Sequence, residues 1–176
     1  MAELLQKHTS MPVTQVSRKT RMESNHIYII PPGQLLTVED QDLILSEADK
    51  KDKKLTTIDL FFRSLGKTLT SHSACVILSG TGSDGSIGLK NIKEYGGIVI
   101  SQDPEEASYD GMPRSALQTG LTDLVLPVKE IPAKLIEYRQ SLKQIKISDT
   151  EELPENDAKV LCKIFGKVNF KMGHDF

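Results

Sequence analysis

Residues 77–88 read "ILSGTGSDGSIG", a short apolar run that gives way to glycines gathered around one aspartate. Three chemistries compete for such a stretch. Gly80, Gly82 and Gly85 satisfy G-x-G-x-x-G, and Asp103 follows about 20 residues on, where a dinucleotide site keeps its ribose-binding acid. Against that, Asp84 would place a carboxylate beside a pyrophosphate, at a helix N-terminus suited to anions. Ser83 offers a nucleophile elbow, but "TGSDG" departs from G-x-S-x-G at its first position. The only histidine after it is His174. In the third reading Asp84 is the orienting acid of a Ser–His–Asp relay. A carboxylate at the end of a central strand can accept the Nδ1–H of an imidazole and stabilise the imidazolium formed during acyl transfer. Residue chemistry alone does not separate that role from a plain cap on the helix starting at Gly85.

The elements that would hold this loop are legible on both sides of it. "ACVILS" is apolar on both faces and predicts a buried strand. "SIGLKNIKEYGG" predicts a helix with a glycine stop. "IVIS" and "TDLVLPV" predict two more strands, with a loop and short helix in "DPEEASYDGMPRSALQTG" between them. "KEIPAKLIEYRQSLKQI" predicts a helix with Leu135, Tyr138 and Leu142 on one side. Upstream, "TTIDLFFRSLGKTL" places Ile58, Phe61, Phe62 and Leu65 at helical spacing behind a potential cap at Thr57. The rhythm is that of an α/β fold, a mostly parallel doubly wound sheet with helices on both faces.

The N-terminal region has another character. "AELLQKH" reads as the tail of a helix, "MPVTQV" as a short strand and "RKTRMESN" as loop. His26–Ile30, Leu35–Val38 and Leu43–Leu45 are β-like pieces with short gaps. They predict antiparallel hairpins at the margin of the sheet. "EADKKDKK" is a mixed-sign charge run, read as a solvated loop. "KISDTEELPEND", residues 146–157, reads as an acidic linker, and residues 158–176 restart a helical pattern.

Composition narrows the function. A net charge of −2 argues against a nucleic-acid partner. No apolar run approaches the roughly 20 residues of a membrane span, and the start lacks the pattern of a secretory signal. The two cysteines, Cys75 and Cys162, suggest neither a disulfide framework nor a zinc site, so a cytoplasmic location is expected. Cys75 reads as a small buried hydrophobe. The four histidines lack metal-pair spacing, and neither cofactor nor metal is expected.

Residues 76–128 resemble the C-terminal half of the CheB-type protein-glutamate methylesterases. The features shared are Gly80-Thr81-Gly82-Ser83-Asp84-Gly85, Gly96–Val99, Gln102, Asp103, Ala107, Gly111-Met112-Pro113, Ala116, Gly120 and Pro127, all in family order. "HIYIIPPGQLLTV" and "LTTIDLFFRSL" extend the likeness upstream, so that it covers about residues 1–143. The resemblance implies hydrolysis of γ-glutamyl methyl esters on chemoreceptor cytoplasmic segments by a Ser–His–Asp relay, with Asp84 as the acid. It implies an oxyanion role for the loop at Thr81 and Gly82, and a cleft wall at Gly111, Met112 and Pro113.

Departures from the family pattern qualify this. Thr81 stands where the family usually has Met. Pro32-Gly33-Gln34-Leu35-Leu36 lacks the histidine of P-G-x-x-H. The family's "STGG" serine motif is absent, and neither His8 nor His26 lies in its histidine context. The expectation is therefore an N-terminally truncated fragment, residues 1–145, inactive alone, with a non-catalytic scaffold or receptor-docking module as the alternative. The tail resembles the start of CheR-type methyltransferases, which implies a methylesterase–methyltransferase fusion whose parent could also carry a receiver domain. Loss of the first strands would leave an open edge, from which self-association is expected.

Overall fold

The computed structural model describes residues 2–47 and 57–148, with side chains as far as Lys143. Two compact units divide the chain, residues 1–137 and 138–176; of the second, only the latter part of one helix is described.

Three short strands carry the candidate loop: β6 (Ala74–Ile77), β7 (Ile98–Gln102) and β8 (Leu124–Leu126). They pair in parallel in the order β6-β7-β8, with Cys75 opposite Val99 and Ser101 opposite Val125. Parallel neighbours need a crossover, and α3 (Leu89–Glu94) and α4 (Gly111–Gln118) supply it. Successive residues Val99 and Ile100 are both fully buried, as expected of a parallel strand covered on both faces. Cys75, Ile77 and Val99 form one core with Phe62, Leu89, Ile92 and Ala116. After β8, α5 runs from Ile131 to Ser148, three residues into the stretch read as a linker. The rest of that linker and the methyltransferase-like tail lie outside the described residues.

The N-terminal region differs from expectation in two respects. Following α1 (Ala2–Gln6), β1 (Val13–Gln15) pairs in parallel with β3 (Ile27–Ile29). The β3 piece thus makes no hairpin with its successor, because prolines 31 and 32 have no N–H to continue a ladder. They carry the chain into a second sheet, ordered β2-β5-β4, formed by β2 (Lys19–Arg21), β4 (Gln34–Glu39) and β5 (Asp42–Glu47). The β4–β5 pair is a true hairpin, turning at Asp40 with φ of +53°. Strand β2 corrects the loop expected at "RKTRMESN". It is an edge strand, and its charged residues face water while Lys19 and Arg21 pair with Asp42 at 3.0 and 3.7 Å.

Helix α2 (Thr57–Leu69) joins the two regions. Phe61 and Leu65 pack against both the parallel-sheet core and the hairpin core of Val16, Leu36, Val38 and Leu43. Two hydroxyls one turn apart cover the outer edge of β4. Ser64 Oγ accepts the Val38 N–H at 3.0 Å, and Thr68 Oγ1 donates to the Val38 carbonyl at 3.1 Å. Against α3 the helix packs without a side-chain cushion. A Cβ on Gly66 would lie 2.7 Å from the Asn91 carbonyl oxygen, and one on Gly88 would lie 2.9 Å from the Asp59 carbonyl oxygen.

Alanine is the better helix former, by about 1 kcal/mol. Even so, Gly66→Ala is expected to destabilise the fold by about 1–3 kcal/mol through overpacking against backbone. The check is a lower urea midpoint at unchanged m-value; an unchanged midpoint would refute the close helix contact.

Candidate functional site

The loop that leaves β6 lies against the loop that leaves β7, at the carboxyl end of the parallel sheet. Ligands of open α/β sheets bind at that end. Gln102, buried at the tip of β7, accepts the Ser79 N–H on its Oε1 at 2.8 Å. The Ser79 hydroxyl accepts the Tyr109 N–H at 3.0 Å, and the Gly80 N–H donates to the Tyr109 carbonyl at 2.9 Å. Met112 N–H then donates to the Gly80 carbonyl at 2.9 Å, and Ser115 Oγ donates to the Gly82 carbonyl at 3.3 Å.

The structure therefore brings Gly111-Met112-Pro113 directly onto the glycine loop. A Cβ on Gly111 would lie 3.1 Å from the Gly82 nitrogen, and one on Gly80 would strike the Met112 sulfur at 2.5 Å. Pro113 is fully buried beneath this contact. Gly82 has φ of +89° and Gly85 φ of +93°, backbone that only glycine adopts freely. Thr81, Gly82 and Ser83 stand exposed on the outer side of the loop. Close packing of α4 on the loop sets the Gly82 backbone against Gly111, where a pyrophosphate cradle would need open space.

Asp84 is half-buried, and its carboxylate reaches neither its own helix nor open solvent alone. Its Oδ1 accepts the backbone N–H of Ile58 at 3.2 Å and of Asp59 at 3.3 Å, and Oδ2 lies 3.4 Å from the Ile58 nitrogen. These are first-turn donors of α2, unsatisfied within that helix. Asp84 thus caps α2 from a distant loop, where Thr57 was the expected cap, and α3 does not begin until Leu89.

The contact is answered in reverse by a residue that sequence reasoning passed over. Asp59, 4% exposed, accepts the Gly88 N–H on Oδ1 at 2.7 Å. The two aspartates tie segments 57–59 and 84–88 together in opposite directions. Thr56-x-x-Asp59 has the form of a capping box and could have drawn attention to this acid. What it could not show is that the carboxylate reaches a different helix.

Other groups frame the site. The Arg114 guanidinium donates to Asp110 at 2.5 Å and to Glu105 at 3.0 Å. The first of these bonds holds the Asp110 carboxyl below the usual carboxylate range. Cys75 lies buried within β6, and burial pushes its thiol well above the ordinary value, so it is a core group and not a nucleophile. His26 is engaged away from the loop: its Nε2 lies 2.8 Å from Thr14 Oγ1 and its ring stacks on Tyr28. Among the described residues no histidine is hydrogen-bonded to Asp84. An apolar cavity of about 360 Å³ opens beside the clasp, lined by Met22, Tyr28, Ile30, Leu36, Ile58 and Phe61.

A parallel α/β sheet with a glycine-framed acid on the loop at its carboxyl end defines a class, the open α/β domains, whose ligands bind at that end of the sheet. The particular family follows from comparison with known proteins. The CheB methylesterase family model matches residues 1–135, and the chain belongs to that family. A crystal structure of the Thermotoga maritima CheB methylesterase catalytic domain superposes with a TM-score of 0.68 at 30% identity, covering 77% of this chain and 74% of that one. A putative protein-glutamate methylesterase/protein-glutamine glutaminase of Leptospira interrogans is 32% identical over 139 residues, 78% of this chain and 72% of that protein. An uncharacterized 104.1 kDa protein of Rhodobacter capsulatus is 40% identical over 138 residues, only 14% of its own length. Among the described residues no helix is long and apolar enough to cross a membrane.

The paired caps yield a stability test. Asp59→Ala is expected to cost about 1–3 kcal/mol by leaving the buried Gly88 N–H unsatisfied, and Asp59→Asn less, since its carbonyl can still accept. Asp84→Ala is expected to cost about 0.5–2 kcal/mol as a lost cap. Combined, the two alanine changes should depart from additivity by about 0.5 kcal/mol or more in urea unfolding. Strict additivity would show that the two contacts are independent.

Proposed function

We propose that this chain carries the acid of a Ser–His–Asp relay that hydrolyses glutamyl methyl esters on chemoreceptor cytoplasmic segments. Asp84 is that acid, and the nucleophile and base come from sequence other than these residues. The observation that carries this reading is the placement of Asp84. In a CheB-family domain it stands on the strand-end loop, with its carboxylate restrained by two main-chain amides of α2. Those amides use mainly Oδ1, and Oδ2 retains acceptor capacity for an imidazole Nδ1–H. Ile58 joins the acid to the apolar cavity, since its N–H holds the carboxylate and the residue lines the cavity. A histidine-bearing segment lying across that cavity would reach the carboxylate from the open side.

In the proposed reaction the serine Oγ attacks the ester carbonyl carbon while the imidazole takes its proton. Asp84 fixes the imidazole tautomer and stabilises the imidazolium. The tetrahedral oxyanion meets the amide of Thr81, on the exposed side of the loop, with Gly82 supplying the turn. The imidazolium returns the proton to the methoxide oxygen and methanol leaves. Water then hydrolyses the acyl-enzyme by the same steps in reverse roles. Gly111, Met112 and Pro113 form the wall against which the loop is held. We place this chemistry in the cytoplasm, with receiver and methyltransferase domains of a parent chain as further partners. The competing reading, a non-catalytic scaffold or receptor-docking module, draws on one observation: Asp84 already has a structural task as the cap of α2.

Methanol release from a glutamate γ-methyl ester peptide decides between them. The 176-residue chain alone is expected to release none above background. With a segment bearing the family's serine and histidine appended upstream, release should appear, and Asp84→Asn should lower it by about 10⁴-fold. Turnover by the chain alone, or an Asp84→Asn rate equal to wild type, would sink the relay.

The same reading implies association. Among the described strands β6 pairs only with β7, so its outer edge is open. Size-exclusion chromatography with light scattering is expected to show dimers or larger species growing with concentration. A clean monomer throughout would overturn it.

A further inference from the structure

Two large apolar side chains stand exposed on the loops at the carboxyl end of the parallel sheet, Leu78 at 46% and Tyr109 at 65% exposure. Single exposed apolar residues are ordinary. These two are distinguished by being neighbours on adjacent loops and by the rigidity beneath one of them. Tyr109 is pinned on both sides of its backbone, N–H to Ser79 Oγ and carbonyl from Gly80 N–H, at 3.0 and 2.9 Å. Two residues later the chain enters α4 at Gly111, packed on Gly82. A tyrosine ring on fixed backbone has only two side-chain torsions to lose on binding, which makes it an efficient anchor.

The two loops carry charges of one dominant sign. Residues 78–88 and 103–114 contain Asp84, Asp103, Glu105, Glu106 and Asp110 against Arg114 alone. That arginine is already paired with Asp110 and Glu105. Such a rim complements a segment with cationic flanks.

We propose that Tyr109, with Leu78 on the adjacent loop, is a docking residue that seats an apolar side chain of the peptide segment carrying the glutamyl methyl ester. The acidic rim favours segments flanked by lysine or arginine. Docking specificity is thereby assigned to residues outside the relay, although the identity of the peptide rests on the methylesterase reading above.

The test uses the full chain and a fluorescein-labelled synthetic peptide with lysine flanks, one leucine and one glutamate γ-methyl ester, followed by anisotropy. Tyr109→Ala is expected to weaken binding about tenfold, and Tyr109→Phe to stay within about twofold of wild type. Tyr95→Ala, an exposed tyrosine at the end of α3, serves as the control and should bind as wild type does. Exchanging the peptide's leucine for alanine should weaken binding to a similar degree, with no further loss on Tyr109→Ala. The proposal is overturned if wild type does not bind the peptide, or if Tyr109→Ala binds within about twofold of wild type. Binding is read without turnover. Intact, Tyr109-dependent binding alongside absent methanol release would therefore remove the relay and leave this inference standing.

Discussion

The site depends on the crossed attachment of two acids. Asp84 gives its carboxylate to the first amides of α2, and Asp59 on that helix gives its own to Gly88. Helix N-termini carry backbone donors unsatisfied within the helix, and a carboxylate oxygen placed there accepts from them. The donor and acceptor requirements of two chain segments are met in one exchange. Without it, the loop after β6 would keep only its attachments to β7 and to the segment entering α4, through Gln102, Tyr109 and Met112.

Everything else follows from where α2 must lie to make that exchange. Its apolar side faces two cores at once, through Phe61 and Leu65, and its hydroxyls cover β4 through Val38. Its approach to α3 requires glycine at 66 and 88. The hairpin sheet thus belongs to the machinery that sets the angle of α2, and through α2 the position of the acid. From the other side, Gln102, Tyr109 and Met112 clamp Ser79 and Gly80. The segment between, Thr81 to Ser83, is left exposed while both its ends are fixed.

The parallel core was legible because its strands are apolar on both faces and its helices carry caps, stops and helical spacing. "ACVILS", "IVIS" and "TDLVLPV" became β6, β7 and β8 in that order. The margin was less so. Lys19–Arg21 looks like loop because an edge strand can carry charge, and short gaps around Pro31 suggested a hairpin that the missing proline donors prevent. At the site, the residue types and order singled out the loop and the Gly111-Met112-Pro113 segment that packs on it. The target of the Asp84 carboxylate was hidden, because a helix 26 residues upstream in sequence receives it. Local patterns such as a capping box report donors and acceptors within one turn. They carry no information about exchange between helices, and Asp59 was missed for that reason.

The glycine contact between α2 and α3 has a consequence for motion. With backbone against backbone, neither helix can shift without carrying the other, so both must open as one block. The amide protons of Ile58, Asp59 and Gly88 would then share a single lifetime against solvent, set by that joint opening. The acid would never be loose while its helix is intact; order in the loop and order in the scaffold would be lost in the same event.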